Sequence, residues 1–293
     1  MDQKMTTRRH RILATTILAL IAALCAACSA VAGGTPAPTA SSSPMDEACA
    51  DPLVITCTTA EGSIVVTVPG DASDGAVIEY ASRLYEAASS APATVTLQAA
   101  PTDDASTGDP EIAPRPRWEV AVQTKTAAEF ETALAALLAA SAVPGTTGIT
   151  VIDGWPYVTV EQLDQFDDAF AALSSTPLFR NGGTYSLQSV ADRLRIVHVP
   201  ARTADVAIHE IIGIATDYPD AEVLLEAPTA GVQYPKLYVS RLTPAEVQEL
   251  DVRLREPRLA DADVDGFALG YVLGSLGEEG TTYVEGSFGG VPG

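Results

Sequence analysis

The chain has 293 residues, 47% of them hydrophobic, and carries 38 acidic against 17 basic side chains, a formal net charge of −21 at pH 7. So acidic a chain repels nucleic acid and anionic lipid headgroups, which argues against a partner of either kind bound through a basic patch. The length allows one large domain or two small ones, and either can bury a substantial core.

The first 28 residues have the organisation of a secretory signal. An uncharged apolar stretch ends in Leu24-Cys25-Ala26-Ala27-Cys28, and it follows four cations, Lys4, Arg8, Arg9 and Arg11. This exit resembles the lipobox of bacterial lipoproteins, in which signal peptidase II cuts before a cysteine that carries the lipid. The resemblance covers only this segment and departs from the family at Cys25, where Leu is usual. It implies a signal peptide over residues 1–27 and a lipid on Cys28, which would hold the protein at the extracytoplasmic face of the cell membrane.

Two alternatives for this segment are a transmembrane anchor and a cleaved signal without lipid. The apolar stretch is about 16 residues long, short of the ~20 that span a bilayer as a helix. Cleavage would remove four of the 17 basic residues and one of the 38 acidic residues, leaving a net charge of about −24. Membrane attachment of the processed chain is therefore expected to come from lipid rather than from basic residues.

Residues 28–48 are predicted to form the lipid anchor and a flexible linker. Beyond Cys28 they are mostly Gly, Pro, Ser, Thr and Ala, which cannot bury enough apolar surface to offset the cost of ordering. Cys49 and Cys57 then remain in an oxidising compartment, where a disulfide is the default. The alternative is a redox pair, but the spacing is not Cys-x-x-Cys.

After Cys49 the apolar periodicity alternates between two and 3.6 residues, which predicts alternating strands and helices. The elements up to Ile152 have the order βαββαβ, the same order recurs from Tyr157, and a third, partial copy begins at Lys236. This pattern predicts an α+β fold with antiparallel sheets and helices on one face. Two groupings of the elements fit it, tandem ferredoxin-like βαββαβ units and a single larger α+β sandwich.

Local signals support these elements. Thr126 with Glu129 and Thr243 with Glu246 have the spacing of helix capping boxes. Asp153-Gly154 favours a two-residue hairpin that would join the first α/β unit, residues 49–155, edge to edge with the second, residues 156–293. The second unit is expected to include the partial third repeat and a flexible C-terminal tail.

An acidic run, Asp261, Asp263 and Asp265 followed by Gly266, matches the first half of an EF-hand calcium loop. The position that should hold a bidentate Glu is Val272. Either these three carboxylates form a weak calcium site, or the run is a solvated acidic turn.

No complete catalytic set is apparent in the sequence. His209-Glu210 begins like the zinc protease motif H-E-x-x-H, but the second histidine is missing. His198 and His209 could share a metal with a carboxylate, or His198 could act as a general base. For both, an ordinary hydrogen-bonded histidine is the simpler interpretation.

Trp118, Trp155 and Tyr157 are expected in the core, with a binding face as the alternative. Together the patterns favour a membrane-tethered lipoprotein that is a non-catalytic binding or structural module, with a protein or cell-wall partner. A tethered hydrolase of envelope polymers, built on His198 or His209 with two acids, is one alternative. A calcium-dependent interaction module is the other.

Overall fold

The computed structural model describes residues 43–101, 115–123, 126–187, 193–200, 202–226, 236–264, 266–277 and 280–290. Cys28, the signal segment, most of the predicted linker and Asp265 lie outside these ranges. The α-helices in them are α1 (Pro44–Cys49), α2 (Asp74–Ala88), α3 (Ala127–Ser141), α4 (Phe166–Ser174), α5 (Asp205–Asp217) and α6 (Pro244–Leu254). The strands are β1 (Thr56–Ala60), β2 (Ser63–Val68), β3 (Thr94–Ala99), β4 (Trp118–Ala121), β5 (Thr146–Ile152), β6 (Trp155–Val160), β7 (Gly183–Leu187), β8 (Leu194–His198), β9 (Glu222–Leu225), β10 (Lys236–Leu242), β11 (Asp263–Val264), β12 (Phe267–Ala268), β13 (Gly270–Gly277) and β14 (Gly280–Ser287).

Twelve of these strands form one sheet in which every strand pairs with its neighbours in chain order; β11 and β12 form a separate ribbon. The pairs β2–β3, β4–β5, β6–β7, β8–β9 and β10–β13 are parallel, and a helix, α2 to α6 in turn, connects each of them. The other pairs are antiparallel. The α+β class is confirmed. The sheet is mixed rather than antiparallel, because strands joined by a helix are direct neighbours and not separated by a third strand as in a ferredoxin-like unit.

One row of buried side chains crosses the sheet from β2 to β13. Its members stand opposite one another in the strand register and are each at most 3% exposed: Val68, Ala99, Trp118, Ile149, Val158, Tyr185, Ile196, Leu225, Leu237 and Tyr271. Because successive side chains of a strand point to opposite faces, this row marks one face of the sheet as the core face.

The helices cover that core face. Phe170 of α4 packs against Tyr185 of the row, with 4.7 Å between ring centroids. The Tyr271 hydroxyl of the row donates to Asp251 of α6 at 2.6 Å. Each of α2, α3, α4 and α6 buries apolar side chains three or four residues apart, and both predicted capping boxes form. In α5 the buried side chains include Ala207, Ile208 and Ile211, whereas Val206 is 37% exposed.

Successive β–α–β units run in opposite directions, because an antiparallel hairpin joins each unit to the next. Their helices nevertheless lie on the same face while the chain advances in the same direction across the sheet. The connection from strand through helix to the next strand therefore turns in opposite senses in two neighbouring units. Right-handed and left-handed crossovers alternate along the sheet. At least two of the five crossovers therefore take the left-handed path that is rare in proteins.

The hairpin predicted at Asp153-Gly154 is confirmed. It joins β5 to β6, and positive φ angles of 52° and 82° at these two residues are those of a type I′ turn. The sheet therefore continues across the predicted boundary between residues 155 and 156.

Both ends of the described chain are more ordered than predicted. Residues 44–48, assigned to the linker, belong to α1, which Ser43 and Asp46 cap reciprocally and which buries Met45. The prediction of a flexible C-terminal tail is wrong for residues 286–290. Gly286 and Ser287 complete β14, and Phe288 is fully buried beside Tyr271. Burial of Phe288 and the pairing of Gly286 and Ser287 with β13 hold this short Gly-rich segment in place.

A disulfide links Cys49 at the end of α1 to Cys57 in β1, with 5.6 Å between the Cα atoms. It ties the first helix to the first strand of the sheet. No helix within the described ranges is both long and apolar enough to cross a membrane.

Candidate binding face

The face of the sheet opposite the helices, here called the open face, is rich in hydroxyl groups. Its register positions alternate with the buried row and include Thr56, Thr58, Ser63, Thr67, Thr94, Thr96, Thr150, Thr159, Thr184, Ser186 and Ser240. Two of its charged side chains neutralise each other, since Lys236 contacts Glu285 at 3.2 Å. In a chain with so large a negative charge, this face is unusually rich in uncharged polar groups.

A cleft of about 250 Å³ lies on the open face where β4, β5 and β6 run side by side. The residues lining it are Arg115, Pro116, Glu119, Gly148, Ile149, Thr150, Tyr157 and Thr159. Gly148 leaves its floor open. A Cβ added there would lie 3.4 Å from the Pro116 carbonyl oxygen, 3.8 Å from Arg115 Cβ and 3.9 Å from Thr159 Oγ1, so a side chain at this position would take up part of the cleft.

The polar groups of the cleft come from three strands and the segment before β4. Arg115 donates from Nη1 to Thr159 Oγ1 at 3.5 Å. Glu119 lies on the open face because its neighbour Trp118 belongs to the buried row. Thr150 stands directly opposite Tyr157 in the register, and Tyr157 is 38% exposed. The cleft therefore offers a guanidinium, a carboxylate, hydroxyl groups and an accessible aromatic ring.

The three aromatic residues singled out in the sequence divide between the two faces. Trp118 is in the core, 3% exposed, as predicted. Trp155 and Tyr157 lie on the open face, two residues apart in β6, so the expected core position is wrong for both, and the binding face stays a prediction. The Trp155 indole donates from Nε1 to Thr184 Oγ1 at 2.9 Å, and this bond fixes the ring against the sheet.

The two histidines occupy different environments. His198 is 3% exposed on the core face, and neither of its ring nitrogens has a hydrogen-bond partner among the described residues. The expectation of an ordinary hydrogen-bonded histidine is therefore not met for His198 within the described ranges. Burial lowers the pKa of its imidazole, and the charge of Asp205 offsets part of that effect. His209 is exposed on α5 and contacts Asp167 at 3.2 Å.

Glu210 does not act with His209. Adjacent residues of a helix point about 100° apart, and Glu210 is directed into the contact between α5 and α6. There it pairs with Arg253 at 2.5 Å and with Arg258 at 2.8 Å. The start of the zinc protease motif is thus divided between a surface histidine and a buried ion pair.

Part of the acidic run proposed for calcium is described. Asp263 begins β11, and its Oδ1 accepts from the Gly266 backbone amide at 3.3 Å, which closes a tight turn. Asp261 precedes the ribbon, and Asp265 lies outside the described residues. Within the described ranges, no group of three or more His, Cys, Asp or Glu side chains is placed to hold a metal ion. The calcium site stays a prediction.

Neither family models, nor curated proteins, nor solved structures match this chain.

Arg115, Glu119 and Gly148 were not predicted from the sequence as site residues. The strict alternation around Trp118 contains the signal for Glu119, because a buried Trp places the next residue on the opposite face. No local signal marks Gly148 or Arg115, since the cleft exists only where three strands meet.

Proposed function

We propose that this protein is a membrane-tethered extracytoplasmic lipoprotein whose open face is a non-catalytic binding surface. The observation that supports this most is the one-sided fold: five helices cover the core face, whereas among the described residues the opposite face is mostly exposed or half-buried, apart from positions such as Thr159 and Thr184. Sheets made only of parallel strands have both faces covered, whereas this mixed sheet leaves one face open, and we take that face as a surface for contact.

The chemistry of the open face favours an uncharged polar partner. Threonine and serine hydroxyls donate and accept hydrogen bonds without carrying charge. The acidic chain as a whole repels anionic polymers at long range. An uncharged carbohydrate stretch of the cell wall meets both conditions, and a lipid on Cys28 would keep the protein within reach of it.

Sedimentation with lipid-free cell-wall sacculi tests the binding proposal. The full chain, purified from membranes in detergent, is expected to sediment with the sacculi. Adding two charges to the open face, as in Thr96→Glu with Thr150→Glu, should abolish sedimentation. The matched control, Thr132→Glu with Ser175→Glu, adds the same charge to exposed positions of the helical layer and should leave it unchanged. Equal behaviour of the two variants, or no sedimentation of the unmodified chain, would overturn the proposal.

Lipid attachment is tested separately. Cys28→Ser removes the sulfur that would form the thioether, so labelling with a radioactive fatty acid should disappear. Labelling that persists in Cys28→Ser would show that another residue is the acceptor, whereas persistence in Cys25→Ser is the expected control result.

A further inference from the structure

We infer that the cleft over Gly148 binds one ring of an uncharged saccharide, with Tyr157 as the surface on which the ring lies. This inference rests on the proposed function and names the ligand class of its most concave part. The cleft measures about 250 Å³, slightly below the roughly 300–1,000 Å³ of pockets for drug-sized ligands. It accommodates one ring, with the remainder of an oligomer lying along the sheet.

The lining supplies both kinds of contact that a sugar ring needs. A pyranose has an apolar C–H face and a rim of hydroxyl groups. The exposed Tyr157 ring offers a flat apolar surface to the first. Arg115 can donate to ring hydroxyls, and Glu119 can accept from them.

The charges in the cleft point to a neutral ligand. Arg115 and Glu119 contribute one charge of each sign, so the lining is neutral overall. A carboxylated or sulfated sugar would gain the attraction of one side chain and meet the repulsion of the other, inside a chain that is strongly acidic. A neutral ring can use both groups as hydrogen-bond partners.

The open face extends this site in one direction. Trp155 precedes Tyr157 by two residues along β6, about 7 Å away, and its indole is already held by Thr184. A second ring of the same oligomer would reach Trp155. Tetrasaccharides should therefore bind more tightly than the monosaccharide.

Isothermal titration calorimetry with two neutral probes, the β-linked tetramers of N-acetylglucosamine and of glucose, tests the inference on the full chain in detergent. At least one is expected to bind. Tyr157→Ala should weaken binding about fivefold or more, the effect of about 1 kcal/mol from one aromatic contact, while Tyr157→Phe keeps the ring and should bind like the unmodified chain. Tyr283→Ala is the matched control, because Tyr283 is an exposed tyrosine on the same face but on β14.

Gly148→Ala provides a second variant. The added methyl group meets its neighbours at ordinary contact distance, so the melting temperature should stay the same while the saccharide binds more weakly. Absence of heat with both tetramers, or equal losses from Tyr157→Ala and Tyr283→Ala, would overturn the inference. If tetramers fail to bind while sacculi still sediment the protein, only the saccharide cleft is wrong. If tetramers bind and sacculi do not, the proposed cell-wall function is wrong and the cleft stands.

Discussion

The imidazole of His198 meets the ring of Phe170 edge to face, with 5.0 Å between the ring centroids. Phe170 belongs to α4 and His198 to the end of β8, so the contact joins a helix to the sheet beneath it. Burial here favours the neutral imidazole, because a charged ring would lose its hydration without gaining a hydrogen bond from the part of the chain that the structure describes.

The burial of His198 predicts that the free energy of unfolding is lower in mild acid than at neutral pH. The unfolded chain takes up a proton at His198 near the ordinary pKa of 6.5, whereas the folded chain does so only at lower pH. The free energy of unfolding should therefore be highest above pH 6.5 and fall below it, by at most about 1.4 kcal/mol per pH unit from this group. The fall ends once the pH drops below the lowered pKa of the folded state.

Urea unfolding at several pH values, compared with His198→Leu, measures this contribution. The variant should lose part of the slope below pH 6.5, and His209→Gln, at an exposed position, should keep it. An identical slope in His198→Leu and the unmodified chain would contradict the prediction.

Glu210→Gln should lower the free energy of unfolding by about 2 kcal/mol. The change removes the charge of the buried carboxylate that accepts from Arg253 and Arg258 at the contact between α5 and α6. Arg253 keeps its pair with Asp217 and Arg258 keeps its pair with Glu256, so the loss comes from two charge-assisted hydrogen bonds that become neutral ones. Glu79→Gln is the control: its pair with Arg83 is exposed, with 78% of the Glu79 side chain in solvent, and should matter by less than about 0.5 kcal/mol. Both values can be read from urea denaturation, and similar losses would show that the α5–α6 pair is not special.

Gly286→Ala should destabilise the protein by about 1–3 kcal/mol through overpacking. A Cβ at Gly286 would collide with the Tyr271 side chain, which is buried and held by its hydrogen bond to Asp251. In contrast, Gly75→Ala meets open space in α2 and should raise stability by up to about 1 kcal/mol. Thermal unfolding of the two variants should thus shift the melting temperature in opposite directions, and a shift of the same sign would refute this account.

Reduction of Cys49–Cys57 should destabilise the start of the domain by about 2.5 kcal/mol in the chain-entropy model, because the closed loop is short. Hydrogen exchange after reduction should speed up in α1 and β1 and stay slow in the central strands. Non-reduced peptide mapping provides the direct check, and free thiols at both cysteines in exported protein would exclude the bond.

The local elements could be predicted from the sequence because their signals are local. Thr126 and Glu129 cap α3 as their spacing indicates, and Asp153-Gly154 makes the expected turn. The pairing of strands could not be predicted. Alternation in β3 tells which side chains face the core, but it is compatible with either β2 or a more distant strand as the parallel neighbour.

The candidate site was only partly predictable for a related reason. Tyr157 was recognised as an aromatic residue of an edge-to-edge hairpin, with a binding face as the less favoured interpretation. Gly148 and Arg115 acquire a role only through long-range packing. Gly148 lies at the bottom of the cleft, and Arg115, which is distant in sequence, lines the same cleft. The order at Phe288 was missed likewise, because its contact with Tyr271 is a tertiary one.

The pairing of each strand with its chain neighbours has a consequence for how the domain comes apart. In the sheet, each β–α–β unit pairs only with the units directly before and after it, as in repeat proteins. Unfolding can therefore begin at either outer strand and advance inward as a fraying front. Loss of β14 or β1 would leave a shorter sheet with its middle intact, and the cleft between β4 and β6 would be several strands away from either fraying end.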